Sequence, residues 1–256
     1  MCWIVVVVVL IIIVGNIITA FSRGGDNSLV NEIKAGNRIV KFGNYFINDN
    51  KTKEPIEWRV LEVSNDKALL ITKDAIDCKP YNNEWRYIEC RDITWGEYSL
   101  RQWRDTTWGE CSLRQWLNNE FINQAFSKEE QNKIILTNIS NPKNPAFGTR
   151  GGNNTQDKIF LLSIDEAEKY FKYEDRVCKV TSYAKQQGAW IYEMKNDEEE
   201  YAGEKDYVGN CYWWLRSPGN CQISAAYVGD DGGVLDDGDS VKNHLNAVRP
   251  AFFINL

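Results

Sequence analysis

The 256-residue chain contains one histidine, His244. Any mechanism that needs two histidines, or a Ser/His/Asp triad assembled away from residue 244, is therefore excluded. Seven cysteines occur, at 2, 78, 90, 111, 178, 211 and 221, and no two stand in the CxxC spacing of zinc or thioredoxin-like sites. Charge is missing altogether from residues 1–22, and no second uncharged run of about 18 residues follows, which excludes a polytopic transporter. Basic residues are scarce where acidic ones abound: residues 193–240 carry 3 basic and 12 acidic side chains, within a chain of net charge −6. Such a region repels phosphate backbones and argues against nucleic acid as a partner.

What is present falls into two parts. Of the first 22 residues, 18 are apolar, and WIVVVVVLIIIV runs unbroken from Trp3 to Val14. About 20 such residues cross a hydrocarbon core of about 30 Å, so residues 1–22 read as a single-pass membrane anchor. A cleaved signal peptide is the alternative; it suffers from the lack of Lys or Arg before the apolar run and from a weak small-residue exit at Ile18-Thr19-Ala20. Arg23 lies on the C-terminal side, so a positive-inside count mildly favours an internal body, although Asp26 follows closely.

The body shows no dividing linker and reads as one domain over residues 37–256, joined to the anchor by a linker at 23–36. Strands are expected near Arg38–Phe42, Ile56–Val63, Ala68–Thr72, Ile159–Leu162, Tyr212–Arg216, Ala225–Val228 and Ala247–Ile254. Helices are expected after Ser112, Ser127 and Ser163, each followed three residues later by Gln or Glu. In the first helix Leu113, Trp116, Leu117, Phe121 and Ile122 fall on one apolar stripe. Strands and helices do not alternate regularly, which predicts α+β rather than a doubly wound sheet. The stretch DEEEYAGEKD at 197–206 and the Pro/Gly/Asn-rich stretch at 141–157 read as surface features.

One short repeat stands out. RDITWGEYSLRQW at 91–103 is followed by RDTTWGECSLRQW at 104–116, with 11 of 13 positions identical. Two copies of 13 residues are too few and too short for a solenoid. The second copy runs straight into LNNEFINQAF and is expected to supply the native helix start, leaving the first as a surface insertion.

The C-terminal third carries the most distinctive segments: YWWLRSPG, AAYVGDDGGVLDDGDSV and AVRPAFFINL. Together with PIEWRVLEV, ALLITKDAIDCKPYN, CSLRQWLNNEFINQAFS and DKIFLLSIDEAEKYF, in that order, they resemble a bacterial domain family of unknown function. The resemblance covers about residues 37–256. That family looks like a branch of the C-type lectin-like fold, which formylglycine-generating enzymes also use, and is commonly attached to membrane spans or cell-surface modules. The resemblance thus implies small antiparallel sheets with flanking helices and an extracytoplasmic body. Formylglycine-generating enzymes bind copper with two cysteines, but the wide spacing of Cys211 and Cys221 does not reproduce that arrangement, and the role is not carried over.

Candidate ligand-binding residues are Trp213, Trp214, Arg216, Tyr227, Asp230 and Asp231. Trp213 and Trp214 would point to opposite faces of a strand, one into the core and the other to a helix or ligand. Arg216 and Arg249 are expected as buried ion-pair partners of carboxylates, with ligand contact the alternative. Asp236, Asp237 and Asp239 are weak calcium candidates, because their spacing departs from the alternate-position calcium loop; hairpin turns with Gly232, Gly233 and Gly238 at positive φ fit better. No other cofactor is indicated. Cys211 and Cys221 could staple one loop, against the equal reading of small buried thiols that never pair. These features point to a membrane-anchored surface module that binds a glycan or a protein. The alternatives are a copper- or thiol-dependent modifying enzyme and a purely structural module. Deleting residues 91–103 is expected to leave the melting temperature of the chain nearly unchanged; a collapsed thermal transition would show that the first repeat copy is part of the fold.

Overall fold

A computed structural model describes residues 28–83, 106–193 and 207–256. Three consecutive antiparallel strands open the fold: β1 (Ile39–Phe46), β2 (Lys53–Ser64) and β3 (Lys67–Thr72). Short turns set their register. Asp49 caps the first by accepting from Lys51 N and Thr52 N at 2.7 and 2.9 Å, and Asn65 takes a φ of 53° in the two-residue second turn. The C-terminal strand β11 (Ala251–Asn255) completes this sheet in the order β1-β2-β3-β11.

A five-stranded sheet has the order β4-β10-β7-β8-β9, from β4 (Asp77–Cys78), β10 (Ala247–Val248), β7 (Trp213–Pro218), β8 (Ser224–Val228) and β9 (Val234–Ser240). The β10–β7 contact is parallel and the others are antiparallel. A small hairpin pairs β5 (Thr137–Ile139) with β6 (Thr155–Asp157). The architecture is α+β, as the irregular order of elements predicts.

Helices pack around the sheets. The helix α1 (Ser28–Lys34) buries Leu29 and Ile33, so part of the expected 23–36 linker belongs to the domain. The longest helical stretch, α2, passes from Ser112–Trp116 through a π-helical turn at Leu117–Phe121 to Ile122–Ala125. Its Phe121 joins Tyr45, Phe126, Trp58 and Phe252 in a network of tilted and edge-on rings. The Trp58 indole N–H donates to Phe42 O at 2.7 Å, so the largest ring in this core is also polar-satisfied. Ser127 with Glu130 and Ser163 with Glu166 form complete capping boxes on α3 (Lys128–Lys133) and α4 (Ile164–Tyr170). At α2 the capping residue is Cys111 rather than Ser112, whose hydroxyl instead accepts from Asn83 N at 2.9 Å. The last helix is α5 (Ser182–Gln186).

The described part of the second repeat copy, residues 106–116, supplies the start of α2, as expected, and packs into the core. Trp108, Cys111 and Leu113 are buried, and Arg114 grips the buried Asp157 at 2.7 Å. Asp157 also accepts from the Trp108 indole at 2.9 Å. Residues 91–103 and the apolar run 1–22 lie outside the described residues, among which no helix is long and apolar enough to cross a membrane. The expected strand Ile159–Leu162 does not form a regular ladder. Phe160 exchanges backbone bonds with Ala251 in one sheet, while Leu162 O accepts from Arg216 N in the other, so the segment crosses between the sheets. The expected strand Ala247–Ile254 divides into β10 and β11 at Arg249-Pro250, because proline has no N–H for a ladder.

Arg216 meets the expected ion pair. Arg216 is 4% exposed, and its guanidinium makes a two-armed contact with Glu166, the arm from Nη2 measuring 2.8 Å, while Nη1 also donates to Leu161 O at 2.8 Å. Glu166 Oε2 simultaneously accepts from Ser163 N at 3.0 Å, so one carboxylate caps α4 and neutralises β7. Glu166→Ala would leave a buried cation with carbonyls only, and is expected to lower unfolding stability by about 2–3 kcal/mol, because the carboxylate is partly solvated. The check is the urea midpoint, compared with Glu129→Ala on exposed α3.

Candidate functional site

The β7 strand is buried at every position, which removes three of the expected ligand contacts. Trp213 and Trp214 are both fully buried. They do point to opposite faces, but each face is covered. The Trp213 ring lies 4.9 Å from the Arg249 guanidinium, and its indole donates to Arg176 O at 3.1 Å. Trp214 meets Tyr81 edge-on at 5.8 Å and donates to Lys79 O at 3.0 Å. Arg216 is the ion-pair partner of Glu166. These three residues hold the sheet and are not available to a ligand.

On the Trp214 side, the next layer is a set of half-buried aromatic rings. Tyr227 of β8 pairs with Trp214 across the sheet and lies 6.4 Å from its ring. Tyr212, two residues before Trp214, meets Tyr227 at 5.5 Å. Trp190 stacks on Tyr212 at 4.3 Å with the planes 15° apart, and Tyr192 and Tyr207 extend the series edge-on. Backbone pairing places them: Trp190 N donates to Leu245 O, Ile191 bridges Cys211, and Tyr192 N donates to Asn210 O. The spacing of Trp190 and Tyr192 around Ile191 puts both rings on one side. Sequence reasoning singled out only Tyr227; the alternating Trp190-Ile191-Tyr192 was the available signal for the others.

The candidate aspartates border these rings. The β8–β9 turn contains Asp230 and Asp231; Asp231 accepts from Tyr173 Oη at 2.7 Å and from Gly233 N at 2.8 Å. Asp236, Asp237 and Asp239 are strung along β9, and no group of three ligating side chains able to hold a metal forms among the described residues. Gly232 and Gly238 take positive φ as expected, whereas Gly233 does not. At Gly238 a Cβ would lie 2.6 Å from Ala225 O, so only glycine lets the irregular β9 approach β8 here. Cys211 and Cys221 are both free thiols, the first buried behind β7 and the second exposed in the β7–β8 loop, and they do not form the loop staple.

The field on this face is negative. Burial, then the charges of Asp230, Asp231 and Asp239, hold the Tyr212 hydroxyl above the ordinary phenol range. Burial, followed by Asp239, Tyr212, Asp237 and Asp230, pushes Tyr227 up to about 12. The face thus offers flat ring surfaces beside carboxylate acceptors, a combination suited to the apolar faces and hydroxyls of sugars. A separate groove of about 590 Å³ lies beside α1, lined by Arg38, Arg59, Glu62, Phe171 and Asp175. Its Glu62 is engaged by Lys169 at 3.5 Å and Tyr170 at 2.7 Å, and Arg59 lies over Phe171.

Fold and site together define a mixed α+β module with an aromatic and acidic surface built on its C-terminal sheet. Residues 65–256 match the model of the domain-of-unknown-function family DUF6273, and the chain belongs to that family. No curated protein and no solved structure matches the chain significantly.

The raised Tyr227 value carries a stability consequence. Between about pH 10 and pH 12 the folded chain keeps a proton that the unfolded chain has released, so stability is lost as pH rises through that window. Tyr227→Phe is expected to flatten this decline, measured as melting temperature against pH and compared with the unsubstituted chain.

Proposed function

We propose that the chain is a membrane-anchored binding module of C-type lectin-like fold, held by residues 1–22 with its body outside the cytoplasm, and that its ligand is a glycan. The observation that carries this reading is the face itself: Trp190 stacked on Tyr212, with Tyr192, Tyr207 and Tyr227 adjoining and aspartates at the border. Half-buried rings already fixed by backbone pairing lose little freedom on binding, and sugar rings stack on such surfaces. Carboxylates beside them accept hydrogen bonds from sugar hydroxyls. The uncharged apolar head supports the anchor. The ordered WWLRSPG and AVRPAF segments, through the family they resemble, support the fold type and the extracytoplasmic side.

The test is a glycan array probed with the detergent-solubilised full chain, followed by titration of the best hit. Trp190→Ala and Tyr227→Ala are each expected to weaken binding roughly tenfold or more. Binding that both variants leave unchanged would remove this face from the reading, and a well-folded chain silent on every glycan would favour a structural module.

A further inference from the structure

Two cysteines that lie 33 positions apart in sequence come together beneath the aromatic face. The antiparallel bridge between Lys179 and Asn210 sets Cys178 directly across from Cys211, and Cys211 N donates to Cys178 O at 2.8 Å. Residues opposed in this way have Cα atoms about 5.5 Å apart, within the range that disulfides span. Both side chains are buried, at 2% and 0% exposure, and both are free thiols.

Beside them lies a cation that forms no salt bridge with a carboxylate among the described residues. Arg249 is fully buried; its Nη2 donates to Lys73 O at 3.2 Å, the same carbonyl that Cys178 Sγ approaches at 3.9 Å. Arg249 Nη1 is buried without a hydrogen-bond partner. We propose that Cys178 and Cys211 are a redox pair, which a low-molecular-weight disulfide oxidises to an intramolecular disulfide at the base of the segment 179–210. The Cys178 thiolate attacks one sulfur of the oxidant, breaking its S–S bond, forming a mixed disulfide and releasing one thiol. The Cys211 thiolate then attacks Cys178 sulfur, and the second thiol of the oxidant leaves. Two protons and two electrons pass from the protein to the oxidant.

The surroundings sort the two roles. Burial opposes ionisation of Cys178, but its hydrogen bond with Cys211 and the Arg249 charge outweigh burial and bring it below the ordinary thiol range. Burial and the hydrogen bond to Cys178 push Cys211 well above that range. By contrast, burial drives Cys78 and Cys111 up to about 12. Because the pair is enclosed, the oxidant reaches Cys178 when the Lys179–Asn210 bridge opens locally while Arg249 stays in place, and reclosure locks the product. The staple would fix the segment that carries Trp190, Tyr192 and Tyr207, whatever ligand that face binds.

The experiment uses the full chain in detergent, incubated with oxidised glutathione, then denatured, alkylated and mapped by peptide mass. The expected result is one linked peptide pair joining Cys178 to Cys211, two hydrogens lighter than the reduced pair, with Cys78 and Cys111 alkylated. The oxidised chain should melt on the order of 10 °C above the same chain kept in reductant. Cys178→Ser and Cys211→Ser should each abolish that difference, and Cys221→Ser should keep it. Complete alkylation of both residues after oxidation, or linkage of either to another cysteine, would overturn the proposal. Should the serine variants not fold, the peptide map of the unsubstituted chain decides alone.

Discussion

The two main sheets depend on the placement of Arg249. Its guanidinium is enclosed between the rings of Trp213 and Phe171, at 4.9 and 5.1 Å, and donates to the carbonyls of Thr72 and Lys73 at 3.0 and 3.2 Å. Those groups belong to the centre of the five-stranded sheet, the end of α4 and the end of β3. One side chain therefore ties together three elements distant in sequence, at the point where the chain leaves β10 for β11. A planar, weakly hydrated cation suits two rings and two carbonyls in a way that a compact ammonium would not.

The contrast with Arg216 shows how much of this was legible. A buried arginine on the WWLRSPG strand implied a carboxylate partner, and Glu166 is that partner; the same Glu166 was independently visible as the third-position residue of a capping box. Local sequence also announced most strand positions and the use of the second repeat copy. Arg249 broke the rule because backbone carbonyls and aromatic faces leave no sequence signature. The solvent status of Trp213 and Trp214 was hidden for a related reason: alternation tells which residues share a face, but only the tertiary fold tells whether that face is covered. Cys111 at the α2 cap was missed because capping statistics favour the adjacent Ser112, whose hydroxyl is taken by Asn83.

The aromatic face follows from the same arrangement. Burying β7 on both sides raises the layer above Trp214 toward the surface, so Tyr212 and Tyr227 link the core to the rings of Trp190, Tyr192 and Tyr207. Rings anchored in this way are stiff, and the acidic border gives them a field that a free aromatic patch lacks. The site residues that sequence suggested thus divide by depth: the tryptophans and arginine form the foundation, while Tyr227, Asp230 and Asp231 lie at the surface.

The position of β9 at the margin of its sheet has one more effect. An outermost strand exposes unpaired backbone groups that invite a second copy to add itself. Here that margin carries Asp236, Asp237 and Asp239 and is bent at Gly238. Two such edges brought together would align like charges on an irregular backbone, so molecules crowded side by side resist zipping into a continuous sheet.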